Sequence, residues 1–149
     1  MRDKKQGSEA EIKNAILLAM GSRNDILCWN NATGTARALQ HPHQVISYGK
    51  KGSSDILGEV GPFGLFFGIE VKTLRGSQRD TQKIFEKAVK KRGGIYIIGR
   101  DPDEALHDLL TARVKFCEKW GLEHLVNYET LEVEYEQRRF FSYSWKSFK

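Results

Sequence analysis

Asp55, Glu70 and Lys72 are the residues of this chain whose types and spacing suit hydrolytic chemistry. They lie in the run GSSDILGEVGPFGLFFGIEVK, residues 52–72. Two apolar runs, the first opened by Asp55, flank Gly61, Pro62 and Gly64, and this punctuation predicts a β-hairpin or meander. Side chains alternate across a strand, so Glu70 and Lys72 share one face and Val71 takes the other. A carboxylate and an ammonium therefore stand together at the end of an apolar strand. Either charge would be costly to bury alone, so the placement calls for a partner such as a metal ion. Asp55, on the neighbouring strand, is the natural second carboxylate.

The elements that must position these groups can be read on either side. Ser8 to Met20 is predicted to be an amphipathic helix, with Ile12, Ala15, Ile16, Ala19 and Met20 as its buried stripe. Ser8 and Glu11 have the spacing of a capping box. Glu9, one turn before Ile12, is either a surface glutamate favoured by the helix dipole or a carboxylate leaning toward the metal. Ile26 to Trp29 reads as a first strand, Asn30 to His43 as a loop and Val45 to Tyr48 as a short strand. His41 and His43 read as surface residues rather than ligands. Arg37, Lys50 and Lys51, with Asn30 and Asn31, are placed to face a phosphate backbone. The glycines of Gly49-Lys50-Lys51-Gly52 serve either close approach of a nucleic-acid strand or tight turning.

A second helix is expected from Ser77 to about Arg92, with Asp80 as capping partner and Ile84, Phe85, Ala88 and Val89 against the sheet. Gln82, three residues before Phe85, can bring its amide over the end of the Glu70 strand. Lys83, Lys87, Lys90, Lys91 and Arg92 form either a solvated basic face or a DNA track. After Gly93-Gly94, Ile95 to Ile98 reads as a central buried strand. Asp101-Pro102-Asp103-Glu104 then signals a helix running to about Trp120, with Ala105, Leu109, Ala112 and Phe116 on one side. Leu125 to Arg139 fits helix or strand. The aromatic and basic end, RRFFSYSWKSFK, suits either packing or stacking on nucleic-acid bases.

The bulk numbers narrow the class. A length of 149 residues fits one domain, and 40% hydrophobic with 29% charged residues excludes disorder and fibre. No apolar run reaches the roughly 20 residues of a membrane span, so no membrane partner is expected. The start MRDKKQGSEAE lacks the apolar core of a secretory signal, and Cys28 and Cys117 are isolated; a reduced, cytoplasmic setting is the expectation. A net charge of +5 favours a polyanionic partner.

An acidic residue on one strand and Glu-x-Lys on the next resembles the PD-(D/E)XK nuclease superfamily. The run GSSDILG, the strand ending IEVKT, a glycine-containing turn, a glutamine-bearing helix and then GGIYII resemble its VRR-NUC branch, in the small stand-alone form typical of phages. The resemblance covers roughly Ser8 to Leu110, and the motif proline is replaced here by Ser54. It implies an α/β fold with a restriction-endonuclease-like core (αβββαβα), a small mixed sheet flanked by helices. The whole chain would be one nuclease domain, with a core of about 8–120 and a C-terminal extension over 121–149. It also implies that Asp55, Glu70 and the backbone carbonyl of Val71 hold Mg²⁺ or Mn²⁺, with Glu9 adding a carboxylate directly or through water. Lys72 would orient and help deprotonate the attacking water, and Gln82 would support the site. The implied activity is a metal-dependent endonuclease acting on branched or junction DNA in a bacterial or phage-infected cell, as a homodimer. Two alternatives come from other classes: a non-catalytic nucleic-acid-binding module of the same fold, and a partner-docking protein using the C-terminal aromatic stretch.

Overall fold

The computed structural model describes residues 7–41 and 43–134. The first helix, α1 (Glu9–Gly21), starts at the capping box expected from the sequence: the Ser8 hydroxyl accepts from the Glu11 N–H while the Glu11 carboxylate accepts from the Ser8 N–H at 2.7 Å. Next come β1 (Ile26–Asn30), β2 (Gly34–Arg37), β3 (Val45–Tyr48), β4 (Ile56–Val60) and β5 (Leu65–Val71). The chain continues through α2 (Asp80–Lys91), β6 (Ile95–Gly99) and α3 (Pro102–Lys119). A 3-10 turn (Glu123–Leu125) and the short pair β7 (Val126–Asn127) and β8 (Glu132–Val133) follow.

The fold is mixed α/β. Four strands form one sheet in the order β1-β4-β5-β6, antiparallel except for the parallel β5–β6 pair. β2 and β3 pair only with each other, as a separate antiparallel ribbon. One sheet face packs on α1 and α3, where Ile12, Ile16 and Met20 meet Ile56, Val60, Phe67, Ile69, Val71, Ile97 and Leu109. Ile16 and Ile69 are wholly buried, a contribution of about 2 kcal/mol each. Gly58 belongs to this face because β1 and β5 close on it: an added Cβ would collide with the Leu27 carbonyl oxygen and the Phe67 ring. The opposite face is covered by α2 only over β5 and β6, so Leu27, Trp29 and Phe66 stay exposed beyond its edge.

Several expectations need correction. The stretch from Asn30 to His43 is not all loop, because Gly34–Arg37 forms β2 by pairing with β3. The Ile95 strand, read as central, is β6 at the sheet edge; it is buried by helices on both faces rather than by strands on both sides. α2 begins at Asp80 and not Ser77, so Asp80 is its first helical residue rather than a capping partner within the first turn, and Arg79 is the cap. Ile84 faces outward at 67% exposure, and Ala15 of α1 is also exposed. His41 and His43 are exposed, as the surface reading had them. The aromatic tail, residues 138–149, lies outside the described residues. No helix among the described residues is long and apolar enough to cross a membrane.

One buried cation ties the helical layer to the loops. Arg113 of α3 is 1% exposed and donates to Asp25 Oδ2 at 2.6 Å, the Gly61 carbonyl at 3.0 Å and the Leu131 carbonyl at 2.7 Å. Burial would raise the Asp25 carboxyl, but the guanidinium donors of Arg23 and Arg113 outweigh it and hold Asp25 below the usual aspartate range. Arg113→Met is expected to cost about 3 kcal/mol in urea denaturation at neutral pH, because it leaves two carbonyls without their donor and Asp25 with Arg23 alone. Asp25 binds its proton less readily when folded, so its stabilisation is present above the ordinary aspartate value of about 3.9 and is lost as pH falls through the lower folded value. Asp25→Asn should lack that acid-side loss; a loss equal to that of the parent chain would count against the anchor.

Candidate active site

The site forms where β5 ends. Beyond Ile69, whose side chain is in the core, the pleat turns Glu70 toward α2, Val71 back to the core and Lys72 toward α2 again. Glu70 is 1% exposed and Lys72 is 8% exposed. Lys72 Nζ donates to Glu70 Oε1 at 2.6 Å, so each buried charge is answered by the other. The Lys72 N–H bonds the Gly99 carbonyl at 3.0 Å, which extends the parallel β5–β6 pairing one residue past the strand.

Asp55 sits just before β4, and its carboxylate Oδ2 accepts the N–H of Val71 at 2.9 Å. The two strands thereby bring Asp55 beside the peptide that follows Glu70. The loop leading to Asp55 is held from two directions. Asn31 donates its side-chain N–H groups to Ser53 Oγ and the Ser54 carbonyl, both at 2.7 Å, and its backbone N–H reaches the Asp55 carbonyl at 2.8 Å. Asn31 is therefore a brace for Asp55, and its side-chain N–H groups are engaged within the loop rather than left free for a phosphate. On the other side, Gly52 has φ +81° and lies so close to α2 that a Cβ would sit 2.6 Å from the Thr81 carbonyl oxygen. Tight turning and helix packing, rather than access for a ligand strand, account for this glycine.

Gln82 closes the arrangement from α2. Its Oε1 accepts the Arg79 N–H at 2.7 Å, half of a capping box, and its Nε2 donates to Glu70 Oε1. Because both ends of the amide are engaged, the side chain is fixed over the carboxylate. Arg100 holds the loop between β5 and α2 by donating to the carbonyls of Thr73 and Gly76, which sets the start of the helix. Tyr96 of β6 lies on the same face; it accepts from Gln78 Nε2 at 3.3 Å, and burial pushes its phenol up to about 12.

Glu9, Asp55, Glu70, Lys72 and Gln82 all line one cavity of about 610 Å³, together with Lys51, Arg79 and Thr81. Glu9 lies at its rim, since the side chain is exposed, and Val71 contributes only backbone here because its side chain is in the core. Lys51, Arg79 and Thr81 were not singled out as cavity residues from the sequence; a basic turn and a helix start beside the motif were the only signals. Burial raises the Glu70 carboxyl above the usual glutamate range against the pull of Lys72, and the charges of Asp55 and Glu9 raise it further. Glu70 Oε1 takes both hydrogen bonds, while Oε2 is buried with no hydrogen-bond partner among the described residues.

An oxygen donor left open beside two further carboxylates suits a hard divalent cation such as Mg²⁺ or Mn²⁺. Among the described residues no three His, Cys, Asp or Glu side chains gather into a ready-made metal cluster. Side-chain ligation would thus rest on Asp55 and Glu70, with Glu9 outside them. The chain matches no family model and no curated protein sequence.

Asp55→Asn retains an acceptor for the Val71 N–H and removes one charge that opposes ionised Glu70. Glu70 holds its proton more tightly when folded, so the parent chain loses stability as pH rises from the ordinary glutamate value of about 4.3 to the higher folded value. In chelator at pH 7, Asp55→Asn is expected to gain about 1 kcal/mol in urea denaturation. The gain should shrink toward pH 4, where Glu70 is largely protonated in both states. No gain at pH 7, or the same gain at pH 4, would show that the two carboxylates do not repel each other.

Proposed function

We propose that this chain is a Mg²⁺- or Mn²⁺-dependent endodeoxyribonuclease of the PD-(D/E)XK type, similar to the VRR-NUC branch, with a restriction-endonuclease-like core. The observation that supports this reading best is the convergence of four side chains from three segments. Glu70 and Lys72 are paired in a buried position, Asp55 is seated on the Val71 N–H, and Gln82 is clamped onto Glu70. A binding module gains nothing from carboxylates placed where phosphates must approach, since they repel the backbone it needs. A hydrolase gains a place for a cation.

Asp55, Glu70 through its open Oε2 and the Val71 carbonyl would hold the cation, with Glu9, at the rim, reaching it through water. When bound, that ion supplies Lewis acidity and neutralises the charge that develops on the phosphoryl oxygens. The other roles belong to the chain itself. Lys72, held at Glu70 Oε1, orients the attacking water through its remaining N–H groups, and its positive charge favours loss of that water's proton. Gln82 keeps Oε1 occupied, so that Oε2 would be the oxygen left to hold the ion. Arg79 and Lys51, on the cavity wall, would meet the substrate phosphates. Branched or junction DNA is the proposed substrate and a homodimer the proposed assembly, because a junction presents two scissile strands related by a two-fold axis.

The test is incubation of the purified chain with labelled junction, flap and linear duplex DNA in Mn²⁺, Mg²⁺ or EDTA. Cleavage is expected with either metal and absent in EDTA, and Glu70→Gln or Lys72→Ala should slow it by about 100-fold or more. Calorimetric titration with Mn²⁺ gives a readout independent of cutting, and Asp55→Ala should lose that binding. No cleavage with any metal would leave the non-catalytic binding module as the better reading, and undiminished cutting by these variants would remove these residues from the chemistry and dismiss the proposed site.

A further inference from the structure

The β2–β3 ribbon stands apart from the four-stranded sheet, and all eight of its strand residues are exposed. Half of them, Ala36, Val45, Ile46 and Tyr48, are apolar or aromatic. Leu39, in the turn closed by the Ala38 N–H on the Gln44 carbonyl, is 100% exposed. An isolated two-stranded ribbon is marginal in water, so apolar surface at this place calls for a partner. The root of the ribbon is a wall of the carboxylate cavity, where Thr33, Gly34, Ser47 and Tyr48 face the same space as Asp55 and Glu70.

Charge identifies the partner. From residue 26 to residue 54 the chain has no Asp or Glu, while Arg37 lies on the ribbon and Lys50 and Lys51 lie on its flank. A second copy of the same segment would set like charges against each other, whereas a polyanion complements them. We propose that the ribbon is an arm that enters the major groove of duplex DNA beside the carboxylate cavity, an inference that rests on the nuclease reading for its purpose but not for its test. Four residues per strand rise about 13 Å. A B-form major groove, about 12 Å wide and 8.5 Å deep, admits two paired strands, and a minor groove of about 6 Å does not. The major groove of A-form RNA is too narrow for the same entry, so the arm discriminates DNA from RNA. Arg37 and Lys50 then meet backbone phosphates while Leu39 and Ile46 meet base edges.

The experiment is fluorescence anisotropy in EDTA with the full chain, a labelled DNA duplex, and a matched RNA duplex and oligo-dT as competitors. Arg37→Ala combined with Lys50→Ala should reduce the slope of log K against log salt by about 2. Leu39→Ser with Ile46→Ser should weaken duplex DNA binding about tenfold at fixed salt. Thermal unfolding checks that both variants fold, and sedimentation reads their assembly. Equal competition by RNA duplex or oligo-dT would overturn the arm, as would unchanged DNA affinity in the variants. A change of oligomeric state with affinity intact would instead make the ribbon a seam between copies. Since nothing is cut in EDTA, a chain that binds in this way but never cleaves leaves the arm standing and removes the nuclease.

Discussion

The buried carboxylate of Glu70 is the constraint around which the rest of the molecule is arranged. An ionised carboxylate taken out of water alone costs several kcal/mol, and the chain answers it locally and at a distance. The local answer is Lys72, two residues on and therefore on the same face of the strand. The distant answer is Gln82, which reaches the same oxygen only because α2 crosses the sheet at that point. Neither meets the second oxygen, and Asp55 and Glu9 make the field there more negative. Such an arrangement is unfavourable for stability and leaves one carboxylate oxygen open to a cation.

Much of the remaining structure keeps that carboxylate in register. Ile69 and Val71 anchor β5 in the core on the opposite face, so a slip by one residue would bury a charged side chain among Ile16 and Leu109 and turn Ile69 to the polar face. Gly58 lets β1, β4 and β5 close tightly, and Gly52 lets the Asp55 loop rest on the first turn of α2. Arg100 ties down the loop that leads into that helix. The core and the cavity are thus two faces of the same strand, one apolar and interlocked, the other polar and left partly open.

Legibility in the sequence followed the range of the interactions. The Ser8–Glu11 capping box and the Asp101-Pro102 helix start were readable because each signal and its partner lie within four residues. The start of α2 was misplaced at Ser77 because Gln78 is drawn away to Glu86 and Tyr96, contacts that exist only once the helix packs on β6. Gly34–Arg37 carries no strand periodicity and becomes β2 through pairing with Val45–Tyr48. The IYII run has the composition of a central strand, yet lies at an edge, since apolarity on both faces reports cover and not neighbours.

By itself the sequence determined that Glu70 and Lys72 share a face, that Val71 opposes them and that an acid precedes the partner strand, because side-chain alternation along a strand is a local property of the backbone. Only the tertiary structure decided that Asp55 would sit on the Val71 N–H, that Asn31 would brace it and that Gln82 would leave one oxygen of Glu70 open. Those outcomes depend on where separate segments cross, and crossing is set by the burial of the whole core rather than by any residue's nearest neighbours.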